Sequence, residues 1–162
     1  MISTRILPLT SLLLSGAIFG FFYAWVCSTM WGLDAADPAT AIRAMQAMNA
    51  SVRNPVFFPA FFLTPVVRAL TACALLLQQQ RDTGLWFAAA AGVYAIGGFA
   101  LTALINVPMN QALALVEVPG STEAAAEIWK SYSEPWQFWN QVRTAASGVT
   151  VLLTGIGLIK IA

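Results

Sequence analysis

Six residues near the end of the chain, Trp136, Asn140, Arg143, Ser147, Thr150 and Thr154, recur at i, i+3 and i+4. On a helix that spacing puts them on one narrow stripe, with Trp139 on its flank. Arg143 brings a fixed positive charge and Asn140 an amide. Hydrogen bonding by Ser147, Thr150 and Thr154 to neighbouring helices, at about 0.6 kcal/mol each, is the structural alternative for the hydroxyls. Snorkelling to a membrane interface is the alternative for Arg143. The chain has no histidine, which removes the usual general base, pH switch and commonest metal ligand together. It also has no Ser-His-Asp set, P-loop, dinucleotide fingerprint or HExxH. Chemistry here has to work with Arg, Asn, Trp and Tyr, or with a carboxylate brought in from a loop.

Three further patterns carry polar groups. Thr102, Asn106 and Asn110 are spaced by four around Pro108. A proline there frees backbone carbonyls beside polar side chains, an arrangement tolerated at membrane depth only when buried in protein or lining a wet cavity. Phe57, Phe61, Thr64, Arg68 and Thr71 share one helix face. Arg68 has no acid at its level, so carbonyls, aromatic faces or an anionic ligand are its partners, unless it is an end anchor. Gln46, Asn49 and Arg53 align with Ile42, next to an apolar arc of Met45, Met48 and Val52. That helix is either a lid over the bundle mouth or an amphipathic helix resting on headgroups. Trp136 and Trp139 could stack on a flat ligand, and with Trp25, Trp31 and Trp129 they also suit an interfacial aromatic belt.

The elements that must hold these groups are membrane helices. Of the 162 residues, 59% are hydrophobic and 9% charged, against roughly 25% charged in soluble domains. Mean hydropathy is +0.72. A helical span needs about 20 apolar residues, and four windows meet this, at about 6–30, 55–77, 85–106 and 139–159. The first is too long for a signal-peptide core. Its Gly16, Gly20, Ala24 and Ser28 would let another helix approach closely. The two long loops lie on one side. One is expected to hold a helix over 38–53, capped by Asp37 with Pro38 at its first position. The other is expected to hold a short helix over 122–132, set apart from the fourth span by Pro135, and Pro108 is expected to kink or end the third helix. The expected fold is an all-α transmembrane four-helix bundle, one domain over 1–162, with an amphipathic helix in the first long loop.

A net charge of +1 leaves no footprint for nucleic acid. Cys27 and Cys73, both in apolar runs, make neither a disulfide scaffold nor a metal site. Basic residues divide almost evenly between the two sides, and Arg5 tips the orientation toward cytoplasmic termini. The expected location is a bacterial inner membrane, with membrane lipids as surroundings and a homo-oligomer open.

Four segments carry a family resemblance: GAIFGFFYAWVCSTMWGL, AIRAMQAMNASVRNPVFF, NVPMNQAL and WKSYSEPWQFWNQVRT. They resemble the anthrone oxygenase-like family of small four-helix membrane proteins, most specifically in NVPMN and WNQVRT. Several members carry histidine after the asparagine of the last motif; Gln141 stands there in this chain. The resemblance implies oxidation of anthrones, fused aromatic ketones, to anthraquinones by molecular oxygen, with no cofactor. It assigns oxyanion stabilisation to Arg143, Asn140, Asn106 and Asn110. Trp136 and Trp139 fit as flat walls; from the reading of their own helix faces, Asn49, Arg53, Gln46 and Arg68 are further ligand-binding candidates. Glu134 or water is left as proton acceptor. The rival expectation is a non-catalytic protein that binds a lipid or small hydrophobic molecule, for transport or as an accessory subunit.

Overall fold

A computed structural model describes residues 3–161, with side chains from Ile6 onward. The side chain of Arg5, on which the orientation expectation leans, lies outside the described residues. The chain is all-α, with no strand among the described residues. Four helical runs are long and apolar enough to cross a membrane: Ile6–Asp34, Phe57–Leu77, Arg81–Ala114 and Thr122–Ile159. Leu13, Ile96 and Leu152 on their outer faces are 73%, 75% and 67% exposed, an apolar surface of the kind that suits lipid.

The first run consists of α1 (Ser3–Ala24), a π-helical turn (Trp25–Thr29) and α2 (Met30–Asp34). Thr29 Oγ1 reaches the Ala24 carbonyl at the wide turn. Its buried line is Ser11, Ser15, Ile18 and Phe22. The glycine stripe expected to form a seam does not: a Cβ on Gly16 or Gly20 would meet nothing within 4 Å. Close approach occurs instead at Gly97, where a Cβ would lie 2.5 Å from that of Ala146.

Helix α3 (Pro38–Ser51) follows. Asp37 accepts from both the backbone N and Oγ1 of Thr40 at 2.9 Å, which holds its carboxyl below the usual carboxylate range and keeps the cap charged. The helix packs over the bundle as a lid. Ile42 and Met45 are fully buried against Met30, Leu113, Trp129 and Trp136.

Helix α4 (Phe57–Leu77) contains Pro65. Proline has no N–H to give the carbonyl four residues earlier. That carbonyl, on Phe61, accepts instead from Tyr94 Oη at 3.1 Å. The helix ends in a Schellman turn, with Gln80 N bonded to Leu75 O at 3.0 Å and Gln79 N to Leu76 O at 3.1 Å. Gln79 sits at φ 63°, the conformation that favours glycine. Gln79→Gly is expected to stabilise the protein by about 1 kcal/mol, read as a higher unfolding midpoint in detergent.

The third run begins as α5 (Arg81–Val93), passes through π-helical Tyr94–Ala100 and Thr102–Asn106, and ends as α6 (Val107–Ala114). The change of winding thus precedes Pro108. Pro108 lies inside this continuous run, two residues after the π-helical winding ends, and the helix continues to Ala114.

Helix α7 (Thr122–Ile159) is continuous, so the expected short helix and break at Pro135 are corrected. Pro135 is exposed, and the helix is held on both sides of it. Asp34 carboxylate oxygens accept from Trp129 Nε1 at 2.9 Å and from Ser133 Oγ and Gln137 Nε2 at 2.8 Å each. Three bonds over two turns offset the one backbone bond that proline forfeits.

Candidate functional site

The π-helical turns and the lid leave a cavity of about 260 Å³ among α1, α3, α4, the third run and α7. That is just below the range of roughly 300–1,000 Å³ for sites of drug-sized ligands. Phe21, Phe22, Trp25, Phe57, Phe61 and Trp136 make most of the wall. The lining holds no Asp, Glu, His or Cys.

Arg143 is the buried charge of this cavity. It is 4% exposed. Its Nε donates to Asn140 Oδ1 at 2.9 Å and its Nη1 to Thr102 Oγ1 at 3.3 Å. Thr102 donates onward to Gly98 O at 2.6 Å, and Asn140 Nδ2 to Phe22 O at 3.2 Å. The guanidinium carbon lies 4.3 Å from the Phe22 ring centre and 5.1 Å from that of Trp136. Aromatic faces therefore supply part of the stabilisation that an acid would otherwise give. No acid forms an ion pair with Arg143 or Arg68 among the described residues; the salt bridges there are Lys130–Glu134 and Lys160–Asp82.

Asn110 is the second polar group on the wall. Its Oδ1 accepts from Tyr132 Oη and Trp136 Nε1, both at 2.8 Å. Two donors on the oxygen fix which way the amide faces, so Nδ2 is the group left to give a hydrogen bond. Asn49 Nδ2 donates to Tyr132 Oη at 3.3 Å from the lid above. The cavity thus has a buried cation and an amide that both meet Trp136, a second cation, Arg53, at its mouth, and largely aromatic walls. A flat apolar molecule with one anionic oxygen matches that arrangement.

The sequence candidates separate in the structure. Arg143, Asn110, Trp136, Asn49 and Arg53 line the cavity, with Arg53 exposed at its mouth. Asn140 stands behind Arg143 and orients it. Asn106 is fully buried between Thr102 and Asn110 in sequence, and neither amide atom has a partner; it is not on the cavity wall. Trp139 is off the wall as well. It is half-buried against Phe138, ring centres 5.2 Å apart, because one residue along α7 from Asn140 is a 100° turn away from the cavity. Gln46 is occupied by structure. Its Nε2 donates to the carbonyls of Leu113 and Val116, both at 2.9 Å, closing the end of α6 whose last carbonyls have no helical partner.

Arg68 is neither an end anchor nor a cavity residue. It is 1% exposed, donates from Nη2 to Ser15 Oγ, and lies 4.8 Å over the Tyr94 ring. Ser15 donates to Ser11 O, and Ser11 and Thr71 hydroxyls meet at 3.0 Å. Glu134 points outward, 3.9 Å from Lys130, so it does not reach the cavity. The phenylalanines of α1 and α4 on the wall carry no signal in the sequence that sets them apart from other lipid-span phenylalanines. Tyr132 is off the wall and holds Asn110 from behind; its place four residues before Trp136 is the signal that finds it.

No curated protein and no solved structure matches the chain. The family model described as anthrone oxygenase matches residues 48–153, a stretch that holds the lid's end, both asparagines of the third run and the Trp136–Arg143 half of the site. With more than half of its length so matched, the chain belongs to the anthrone oxygenase family.

Proposed function

We propose that this protein is a membrane-embedded, cofactor-independent oxygenase of anthrone-like fused aromatic ketones or phenols. The observation that carries the reading is Arg143, a buried cation with no acid partner among the described residues, facing an aromatic cavity. An anthrone loses a proton from its central carbon to give an enolate. The guanidinium of Arg143 and Nδ2 of Asn110 bind the enolate oxygen more strongly than the neutral ketone, which is what favours ionisation. Dioxygen then adds at the carbon, and the resulting hydroperoxide loses water to leave the second carbonyl. One anthrone and one dioxygen give one anthraquinone and one water. With no carboxylate or histidine on the wall, the proton passes to water at the mouth. The membrane is a bacterial inner membrane in this reading, with both termini cytoplasmic.

The test is purified protein in detergent with anthrone, followed by oxygen uptake and quinone absorbance. The expected result is acceleration over the spontaneous rate. The rate should rise about tenfold per pH unit below the pKa of the bound ligand, because a ligand ionisation and not a side-chain base sets it. No acceleration across several fused ketones removes this reading. A second reading, a non-catalytic carrier of a lipid or small hydrophobic molecule, is favoured by one observation, the absence of any proton acceptor among the lining residues.

A further inference from the structure

The cavity has a side facing the membrane. Among the described residues α4 packs on α1, α5 and the π-helical Tyr94–Ala100, and its backbone comes close neither to the Thr102–Ala114 stretch nor to α3. The second and third spans therefore touch along their inner length and part beyond Thr102. Pro65, at the middle of α4, marks where its outer half begins. Phe58 and Phe62 stand in the gap, 41% and 48% exposed, and both line the cavity that Arg143 lines. Val107 and Gln111 face them from the third run.

Apart from the mouth beside the exposed Arg53, the cavity is covered from above. Above the cavity the lid α3 is tied to α6 through Gln46 and to α7 through Asn49, and its Ile42 and Met45 are wholly buried. Lifting it would expose that packing and break three hydrogen bonds. On the far flank an apolar groove between α1 and α4 runs close by, and the Phe21 and Phe57 rings, 4.7 Å apart, line both it and the cavity.

We propose that the ligand is a membrane-dissolved molecule that passes sideways from the bilayer between α4 and the third run. Its oxygen-bearing end goes in first, to Arg143 and Asn110. Its opposite end stays at the Phe58–Phe62 portal against the acyl chains. Specificity follows from this direction of travel. An alkyl tail on the far end is accepted, because it projects into lipid. A charge on the far end is rejected, because it would sit unpaired at that depth. This rests on the oxygenase reading only for the identity of the head group, and binding tests it without turnover.

The experiment uses the whole protein in lipid nanodiscs and three fluorescent naphthols: 2-naphthol, 6-hexyl-2-naphthol and 6-hydroxynaphthalene-2-sulfonate. Affinities are expressed per mole fraction of probe in the bilayer. The hexyl compound is expected within about threefold of the parent, and the sulfonate at least about 100-fold weaker. Phe62→Trp, or Phe58→Trp if the first variant does not fold, narrows the portal and should slow association of the hexyl compound roughly tenfold. Ala60→Phe, which fills the α1–α4 groove, should leave that rate unchanged. Exclusion of the hexyl compound, equal binding of the sulfonate, or no binding by any of the three overturns the proposal. Retention of the binding order with no oxygen uptake from anthrone removes the oxygenase reading alone.

Discussion

Arg143→Gln is expected to lower the rate of anthrone oxidation by about 10²- to 10³-fold while the protein stays folded. Glutamine can still meet Asn140 or Thr102 with an amide, but it brings no charge to an enolate oxygen. Stability should hold or rise, because a buried cation with no acid partner among the described residues is costly to keep dry. Arg143→Lys should rescue little. The guanidinium bonds Asn140 and Thr102 from separate nitrogens while its carbon lies within about 5 Å of the Phe22 and Trp136 ring centres, and an ammonium cannot reproduce that fit. Quinone formation and thermal unfolding in detergent, measured on the same preparations, check both parts. A glutamine variant with the parent rate would remove Arg143 from the chemistry.

Trp136→Ala is the substitution expected to cost most stability, about 3–5 kcal/mol. The side chain is 2% exposed. It covers Arg143, meets Trp25 edge-on with ring centres 5.2 Å apart, and donates to Asn110. Its removal opens a void at the junction of α1, the third run and α7. Trp136→Phe separates packing from hydrogen bonding. It keeps most of the volume and should cost about 1 kcal/mol. It also takes away one of the two donors that orient the Asn110 amide, so ligand affinity should fall more than stability does. Equilibrium unfolding alongside 2-naphthol binding measures the two effects. Equal and small losses from both variants would show that Trp136 does not fill the junction.

The parts of the site that could be read from the sequence are those carried by regular α-helix. Along α7 the period holds through Pro135, and Trp136, Asn140, Arg143, Ser147, Thr150 and Thr154 are all buried on one side. The third run was harder, because two π-helical stretches, with their i→i+5 winding, replace the winding on which its spacing was judged. Thr102 reaches Arg143 and Asn110 reaches Trp136, whereas Asn106 between them reaches no partner. Features made by distant pairs left no local trace. Nothing near Gln46 says that its amide closes α6, and nothing near Asp34 says that it will hold α7 straight. The glycine stripe of α1 misled for a related reason. Small residues permit close packing on a face, but the neighbour went to the serine face instead.

The two buried arginines also differ in when their partners become available during synthesis. Arg68, Ser15, Ser11 and Thr71 all belong to the first two spans and the Tyr94 ring to the third, so that cation has its hydrogen bond and its aromatic face before the fourth span is made. Asp34 and the Phe22 carbonyl wait for groups on the final helix. The cavity therefore closes last, and a chain truncated before its fourth span would keep the Arg68 network yet lack the wall that Trp136 and Arg143 supply.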